Sequence, residues 1–211
     1  MKIQARSATA QNQLPATQVY QQLNDDLTIF LRPWGSSEFN QKVIDEITHY
    51  LSTTQADIEV TTPFDYMESL SSLANRTRVA LLLAHDLLYK TDNRNEYSVG
   101  FECFILFRSK KEMAYAGVGR FSLSKFKEHS LNTIMSMGSD LDDESLLPVQ
   151  LIGLEKDISV SAGSVAFDEQ HEYVLSSPFR CEVRMNERSS GVGKVDLWPS
   201  NSTYWYSIIT A

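Results

Sequence analysis

Few residues of this 211-residue chain could do chemistry, and they are scattered. The four histidines, at positions 49, 85, 129 and 171, lack the H-x-x-x-H and H-E-x-x-H spacings that hold zinc. No G-x-S-x-G elbow, P-loop or dinucleotide fingerprint is present. The stretch "YVLSSPF" instead ends a strand-like run at two serines, Ser176 and Ser177, followed by a proline. The sequence therefore contains none of the common hydrolase or nucleotide-binding motifs.

Acidic residues and cysteines give two weaker signals. The acids of "DLDDE", 140–144, lack the glycine turn and the ligand spacing of an EF-hand, which favours a solvated acidic loop over a calcium site. Cys103 and Cys181 lie in strand-like runs without another cysteine or histidine at ligand spacing. This predicts two reduced core thiols, with a disulfide or redox pair as the alternative.

Composition narrows the class of partner. The chain carries 27 acidic and 19 basic residues, a net charge of -8, so it repels phosphate backbones and anionic lipid. Hydrophobic residues make up 42%, which is enough for a packed core. No apolar run is long enough to span a bilayer, and the first residues lack the apolar region of a secretory signal. We expect a cytoplasmic protein that binds neither nucleic acid nor membrane.

The elements that must position these residues follow from periodicity. The patterns predict an α+β layout in one domain, 1–211, with helices covering the faces of antiparallel sheets. We expect residues 1–16 to be flexible or an edge segment, and residues 127–147 to form a mobile loop. A lone histidine on a packed helix, such as His85, is predicted to be structural rather than a ligand or base. The expected helices cover 37–52 and 69–93, and the expected strands are 27–35, 97–108, the return strand from 112, 147–154, 157–167, 171–177, 181–185 and 202–210.

The succession of these segments resembles the metal-dependent (PPM, type 2C) serine/threonine protein phosphatases. In that family a strand ends in Asp-Gly-x-Gly-Gly and enters a helix; "FLRPWGSSEFNQ" has this shape, with Gly35 kept and Trp34 in place of the aspartate. A later hairpin strand ends in Gly-Asp-Ser in the family. Here "AGVGRF" keeps Gly119 and has Arg120 in place of the acid.

The resemblance continues through the last third of the chain. "LIGL" matches a family segment with Gly153, and "YVLSSPF" matches Ser-Asp-Gly with Ser176, placing Ser177 at the aspartate. "SNSTYW" matches Asp-Asn-x-Thr, with Asn201 kept and Ser200 at the aspartate. The framework residues are retained at these positions, and the carboxylates that hold the family's two metal ions are not.

The resemblance implies a four-layer αββα sandwich, in which two antiparallel β-sheets are flanked by helices. It does not imply activity, because serines and one arginine cannot neutralise two divalent cations. We therefore expect no cofactor, and Mg²⁺ or Mn²⁺ only if the chain is active after all. In the family's mechanism the metals generate the attacking hydroxide and clamp the phosphate, so without them no nucleophile is evident.

The leading functional hypothesis is a catalytically inactive phosphatase-like domain that serves as a binding or regulatory module for a protein partner or a phosphorylated ligand. An active metal-dependent phosphatase using Asp25, Asp26, Asp86 or Asp196 is one alternative. An unrelated αββα hydrolase or an assembly module is another. The residues expected to line the remnant cleft are Trp34, Gly35, Arg120, Ser177, Ser200 and Asn201.

Overall fold

The computed structural model describes residues 1–8, 15–56, 62–127, 130–138, 150–177, 181–185, 195–199 and 204–210. The chain divides into two compact units. The first unit comprises Met1–Leu14, Arg120–Val149 and Asp168–Ala211, and the second unit comprises Pro15–Gly119 and Gln150–Phe167. That the whole chain acts as one domain stays a prediction.

The described elements are mostly strands. The helical elements are a 3₁₀ turn Ser37–Phe39, helix α1 Asn40–Ala56, helix α2 Ser72–Leu87 and a π-helical turn Leu88–Asp92. The strands are β1 Lys2–Ala8, β2 Gln18–Gln22, β3 Leu27–Gly35, β4 Val99–Ser109, β5 Glu112–Val118, β6 Ser122–Lys127, β7 Ser130–Ser136, β8 Ser161–Ala166, β9 Glu172–Ser176, β10 Cys181–Met185, β11 Val195–Pro199 and β12 Tyr204–Thr210.

The first unit holds a five-stranded antiparallel sheet in the order β1-β12-β9-β6-β7, together with a two-stranded ribbon of β10 and β11. Consecutive residues of β12, from Trp205 to Ile209, are all buried, so both faces of this strand are covered. Its aromatic and β-branched composition suits such a position. The first strand, β1, lies at one edge of the sheet, within the segment predicted to be flexible or an edge.

The second unit holds a five-stranded antiparallel sheet in the order β2-β3-β4-β5-β8. Alternate residues of β3 and β4 pack into one apolar cluster with α1 and α2. The intervening β3 residues Thr28, Phe30 and Arg32 are buried as well, so both faces of this strand are covered. The cluster includes Leu27, Ile29, Leu31, Phe101, Cys103, Ile105 and Phe107 from the strands, and Val43, Ile44, Ile47, Val79, Leu81 and Ala84 from the helices.

Both described α-helices start at side-chain signals that the sequence carries. The hydroxyl of Ser71 accepts a hydrogen bond from the Ala74 N–H at 3.1 Å, which caps α2. The Ser36 side chain accepts from the Glu38 N–H at the turn before α1. The first helix runs to Ala56, beyond the predicted end at 52, because no glycine or proline stops it.

Two predicted segments differ from the structure. The expected mobile loop 127–147 contains strand β7, Ser130–Ser136, whose residues are exposed or half-buried. A polar strand at a sheet edge lacks the apolar alternation by which strands are recognised. The strand expected at 147–154 is also wrong within its described part, since 150–154 make a single bridge, between Ile152 and Phe101.

Other expectations concern single residues. Cys103 is a buried free thiol, and burial raises its pKa far above the usual range. The side chain of Cys181 and the acidic stretch 140–144 lie outside the described residues. No helix in the described ranges has the length and apolar character needed to cross a bilayer.

Candidate functional site at the end of strand β3

An ion pair lies inside the second sheet, one residue from the Trp-Gly end of β3. Arg32 of β3 stands directly opposite Glu102 of β4 in the strand register. The Arg32 Nη1 donates to Glu102 Oε2 at 2.9 Å, and the two side chains are only 3% and 0% exposed. Charged side chains are almost never buried this deeply unless they are paired.

Two further side chains complete this group. The indole Nε1 of Trp34 donates to the same Glu102 oxygen at 3.1 Å. The hydroxyl of Thr17 accepts from Arg32 Nε at 3.1 Å and from Arg32 Nη2 at 2.9 Å. We call Thr17, Arg32, Trp34 and Glu102 the Arg32 cluster. It joins one cation and one anion by charge-assisted hydrogen bonds, so its formal charge is zero.

Glycines let the backbone approach this cluster. A Cβ on Gly119 would lie 2.6 Å from Cβ and Cγ of Glu102, and its φ of +111° is unfavourable for other residues. Gly35, with φ of +134°, would place a Cβ 2.6 Å from the backbone oxygen of Ser98. Gly35 and Gly119, two of the three glycines singled out in the sequence, therefore have a backbone requirement beside the end of the second sheet.

The residues at this strand end do not fit the pair of divalent ions that the resemblance implies. The carboxylate present there, Glu102, is already bound by a guanidinium and an indole N–H, and the strand-end side chain is Trp34. Mg²⁺ and Mn²⁺ require several oxygen ligands, mostly anionic. Across the part of the chain that the structure describes, no group of three or more His, Cys, Asp or Glu is placed to hold a metal.

The predicted cleft residues fall in both units. Trp34 and Gly35 lie at the end of β3 in the second unit, whereas Arg120 and Ser177 belong to the first unit. The Ser177 hydroxyl accepts from the Trp205 N–H at 3.1 Å and donates to the Trp205 carbonyl at 3.2 Å. This hydroxyl therefore ties the end of β9 to the start of β12 within its own unit.

Arg120 follows Gly119 and packs against Gly138 of the same unit. A Cβ on Gly138 would lie 2.6 Å from Cγ of Arg120. Ser200 and Asn201 lie outside the described residues. That these six residues form one cleft remains a prediction. Trp34 and Gly35 lie together because they are consecutive residues of β3.

Of the carboxylates proposed for an active enzyme, Asp26 and Asp86 are each paired with a basic side chain. Asp26 accepts from Arg108 Nε at 2.9 Å and Nη2 at 2.8 Å, at the opposite end of β3 from Trp34. Asp26 and Trp34 are eight positions apart along the extended chain, which corresponds to about 26 Å. Asp86 pairs with Lys90 on the surface of the helix end, and the side chain of Asp196 lies outside the described residues.

Sequence reasoning missed the two charged members of the Arg32 cluster. Arg32 follows an apolar run in β3, and Glu102 is flanked by Phe101 and Cys103 in β4. Opposite charges in the apolar runs of two strands that pair are the signal that could have identified them, since a buried charge needs a partner. Their exact register, which pairs Arg32 with Glu102, became visible only in the structure.

Comparison with known proteins adds the fold relationship. No protein-family model matches the chain, and no curated protein matches it. The Mycobacterium tuberculosis serine/threonine phosphatase PstP/Ppp superposes with a TM-score of 0.56 at 11% identity, over 83% of this chain and 77% of that chain. The Pseudomonas aeruginosa protein PppA, described as a regulatory component of T6SS, gives 0.56 at 13% identity, over 83% and 76%.

A third similar structure is the serine/threonine phosphatase Stp1 from Staphylococcus aureus, with a TM-score of 0.52 at 14% identity over 83% of this chain and 75% of that one. Identities this low establish the fold and leave activity open. The predicted fold class is confirmed: the chain has the α+β fold of the PPM-type serine/threonine phosphatases, with two five-stranded antiparallel sheets.

Proposed function

We propose that this chain is a catalytically inactive phosphatase-like domain that acts as a binding or regulatory module. The observation that carries the proposal is the Arg32 cluster. At the strand end where the resembled family has a metal-binding aspartate, this chain has Trp34, and the nearby carboxylate of Glu102 is held by Arg32.

The electrostatics of the cluster support this proposal. A divalent ion at Glu102 would have to displace the guanidinium from a group that is 0% exposed, leaving a buried cation without its partner. Such an uncompensated buried charge is strongly unfavourable. One solved relative, PstP, has been described in complex with two manganese ions. The described residues of this chain offer no comparable set of anionic oxygens at that strand end.

The role in binding follows from what the fold retains. The close backbone approach at this strand end is retained, since it depends on Gly35 and Gly119. The metal ligands that the family has there are not retained, and Trp34 takes the place of one of them. We propose a protein partner or a phosphorylated ligand as the class of molecule bound. The six predicted cleft residues are the proposed contact region, with Arg120 as its cation.

A metal titration tests the inactive state. Purified protein is assayed with an aryl phosphate at increasing Mn²⁺ or Mg²⁺, with PstP as the active control, and melting is followed in the same buffers. We expect no turnover and no metal-induced rise in melting temperature. A specific site filled at 100 times its dissociation constant would add about 2.7 kcal/mol of stability, which melting detects readily.

The opposite result is equally clear. Mn²⁺-dependent turnover that follows the protein through purification, with a matching rise in melting temperature, would contradict the proposal. It would revive the alternative of an active phosphatase.

A further inference from the structure

The connection between α2 and β4 lines an open cavity, and its lining includes none of the Arg32 cluster and none of the predicted cleft residues. Its volume is about 760 Å³, within the range of small-molecule sites. The connection begins with the π-helical turn Leu88–Asp92, a rare conformation that is frequent at functional sites. The cavity is lined by Tyr89, Lys90, Asn93, Arg94, Asn95, Glu96 and Tyr97.

The loop that forms this cavity is held by a buried asparagine. The Asn93 Nδ2 donates to the carbonyls of Val99 and Gly153, each at 2.7 Å, and its Oδ1 accepts from the N–H groups of Ser98 at 2.8 Å and Val99 at 3.2 Å. Asp92 adds an ion pair to Lys42 of α1 at 2.6 Å. Both ends of the loop that carries the lining side chains are therefore anchored, which reduces the entropy lost on binding.

Gly153 explains why this anchoring is possible. Its N–H donates to Nδ1 of His85 at 3.0 Å, while its carbonyl accepts from Asn93. A Cβ at this position, where φ is +90°, would lie 2.9 Å from Cβ of Leu88. The ring of His85 in turn stacks on Tyr89, with centroids 5.9 Å apart, so one wall of the cavity rests on the buried helix.

Two polar side chains of the lining are uncommitted. Within the described residues, Arg94 and Tyr97 make no hydrogen bond, ion pair or ring contact. Tyr97 is 76% exposed, more than Tyr66 and Met67, the other exposed large hydrophobic residues described. Exposed tyrosine and arginine together are the residue types that dominate binding hot spots.

The charge of the lining selects the ligand. Lys90 and Arg94 are cationic and Glu96 is anionic, which gives the lining a net charge of +1 in a chain whose total is -8. Lys90 already pairs with Asp86 at 2.5 Å, so Arg94 is the cation left for a ligand. A guanidinium binds a carboxylate through two parallel hydrogen bonds, and Glu96 disfavours a dianion.

We propose that this cavity binds a carboxylate attached to a planar or aromatic group, with Arg94 holding the carboxylate and Tyr97 and Tyr89 contacting the ring. The carboxylate can belong to a free aromatic acid or to the C-terminal aromatic residue of a peptide. The assignment rests on the binding role proposed above. The two can fail separately, because the metal and turnover assays do not involve Arg94.

Titrations followed by amide chemical shifts in ¹⁵N-labelled protein test the assignment. N-acetylphenylalanine and its amide differ only in the charge of one end. We expect saturating shifts confined to residues 89–97 and their neighbours for the acid, and binding about tenfold weaker or more for the amide, the loss expected for a hydrogen-bonded charge pair. Phenylacetate and a tripeptide ending in phenylalanine distinguish the free acid from the peptide, according to which binds more tightly.

Matched variants complete the test. Arg94→Gln should weaken binding of the acid about tenfold or more and leave the amide unaffected, whereas Lys110→Gln makes the same charge change on the exposed β4–β5 turn and should change neither. Tyr97→Ser should weaken both ligands. Equal affinity of the wild type and Arg94→Gln, or shifts that do not saturate, would overturn the assignment.

Discussion

Two arginines near the same end of the second sheet have opposite environments. Arg32 is 3% exposed and is held by Glu102 and Thr17, whereas Arg94 is exposed and has no partner among the described residues. The two regions are joined through Gly35, which pairs with Val99 at the end of the loop that carries Arg94. One guanidinium is used inside the protein, and the other is available to a ligand.

The difference lies in whether each guanidinium has a partner within the described residues: Arg32 is bound by Glu102 and Thr17, and Arg94 is not. The Arg32 cluster is neutral overall, and its carboxylate is already bound by a guanidinium and an indole N–H. The guanidinium of Arg94, on a loop anchored at both ends, has its full set of five donors available to a ligand.

Removing the partner of the buried carboxylate should have the largest effect. Arg32→Met leaves Glu102 buried without its counter-ion, and we expect the free energy of unfolding to fall by about 3–5 kcal/mol. Chemical denaturation followed by circular dichroism measures this change. The surface pair Lys90–Asp86 provides the control, because Lys90→Ala should change stability by less than about 1 kcal/mol.

A double variant guards against the possibility that Arg32→Met fails to fold. Arg32→Met/Glu102→Leu removes both charges, so it should be more stable than Arg32→Met alone, even though Trp34 loses its acceptor. If the double variant is as unstable as the sum of the two single variants, the pair is not coupled. Arg32 would then not differ from Arg94 in the way proposed.

The close contact between the end of β3 and the end of the loop that carries Arg94 depends on Gly35. Gly35→Ala places a Cβ against the Ser98 backbone oxygen at a φ of +134°, and the strain alone is worth about 1–3 kcal/mol. Gly163→Ala in β8 is the matched control, because its nearest neighbours are the side-chain atoms of Tyr115 and its φ is not in the left-handed region. Denaturation midpoints should fall further for Gly35→Ala, and the reverse order would contradict this account.

The sequence predicted the parts of this structure that depend on local pattern. Helix α2 could be located because its apolar residues recur at helical spacing, and Gly35 and Gly119 were singled out because the resembled family has glycine at those strand ends. The strand β7 was missed because a polar edge strand lacks that pattern.

The candidate site was predicted only in part, because its decisive contacts are long-range. Trp34 was identified at the strand end, but its acceptor Glu102 is 68 positions away in the sequence, and Arg32 and Glu102 are 70 apart. Neither spacing nor composition indicates which charges pair across a sheet before the register is known. The anchoring of Asn93 to Gly153, 60 positions away, was invisible for the same reason.

Lowering the pH should destabilise the protein through His85, the buried histidine that stacks on Tyr89 of the cavity wall. Burial lowers the pKa of His85 below its usual range, so the unfolded chain binds a proton first as the pH falls below about 6.5. The contribution of neutral His85 to the free energy of unfolding is therefore complete above that pH. It declines at lower pH by up to about 1.4 kcal/mol per pH unit, until the folded-state pKa is reached.

Comparing the wild type with His85→Gln isolates this effect from the carboxylates, which titrate in both proteins. The free energy of unfolding should depend less steeply on pH in His85→Gln between pH 6.5 and 5, whatever the loss of the Gly153 hydrogen bond does to its absolute value. Parallel curves would show that His85 takes up its proton to the same extent in the folded and the unfolded protein over this range, so that folding does not lower its pKa. The wall beneath Tyr89 would then not depend on a buried neutral imidazole.

The smallest effect should come from the exposed arginine. Arg94→Gln removes no contact with a described residue, so its free energy of unfolding should stay within about 0.5 kcal/mol of the wild type, as for ordinary surface substitutions. Lys110→Gln should match it in the same denaturation series. If the free energy of unfolding falls by 1 kcal/mol or more in Arg94→Gln alone, this guanidinium binds another group of the protein, as Arg32 does. It would then not be available to a ligand.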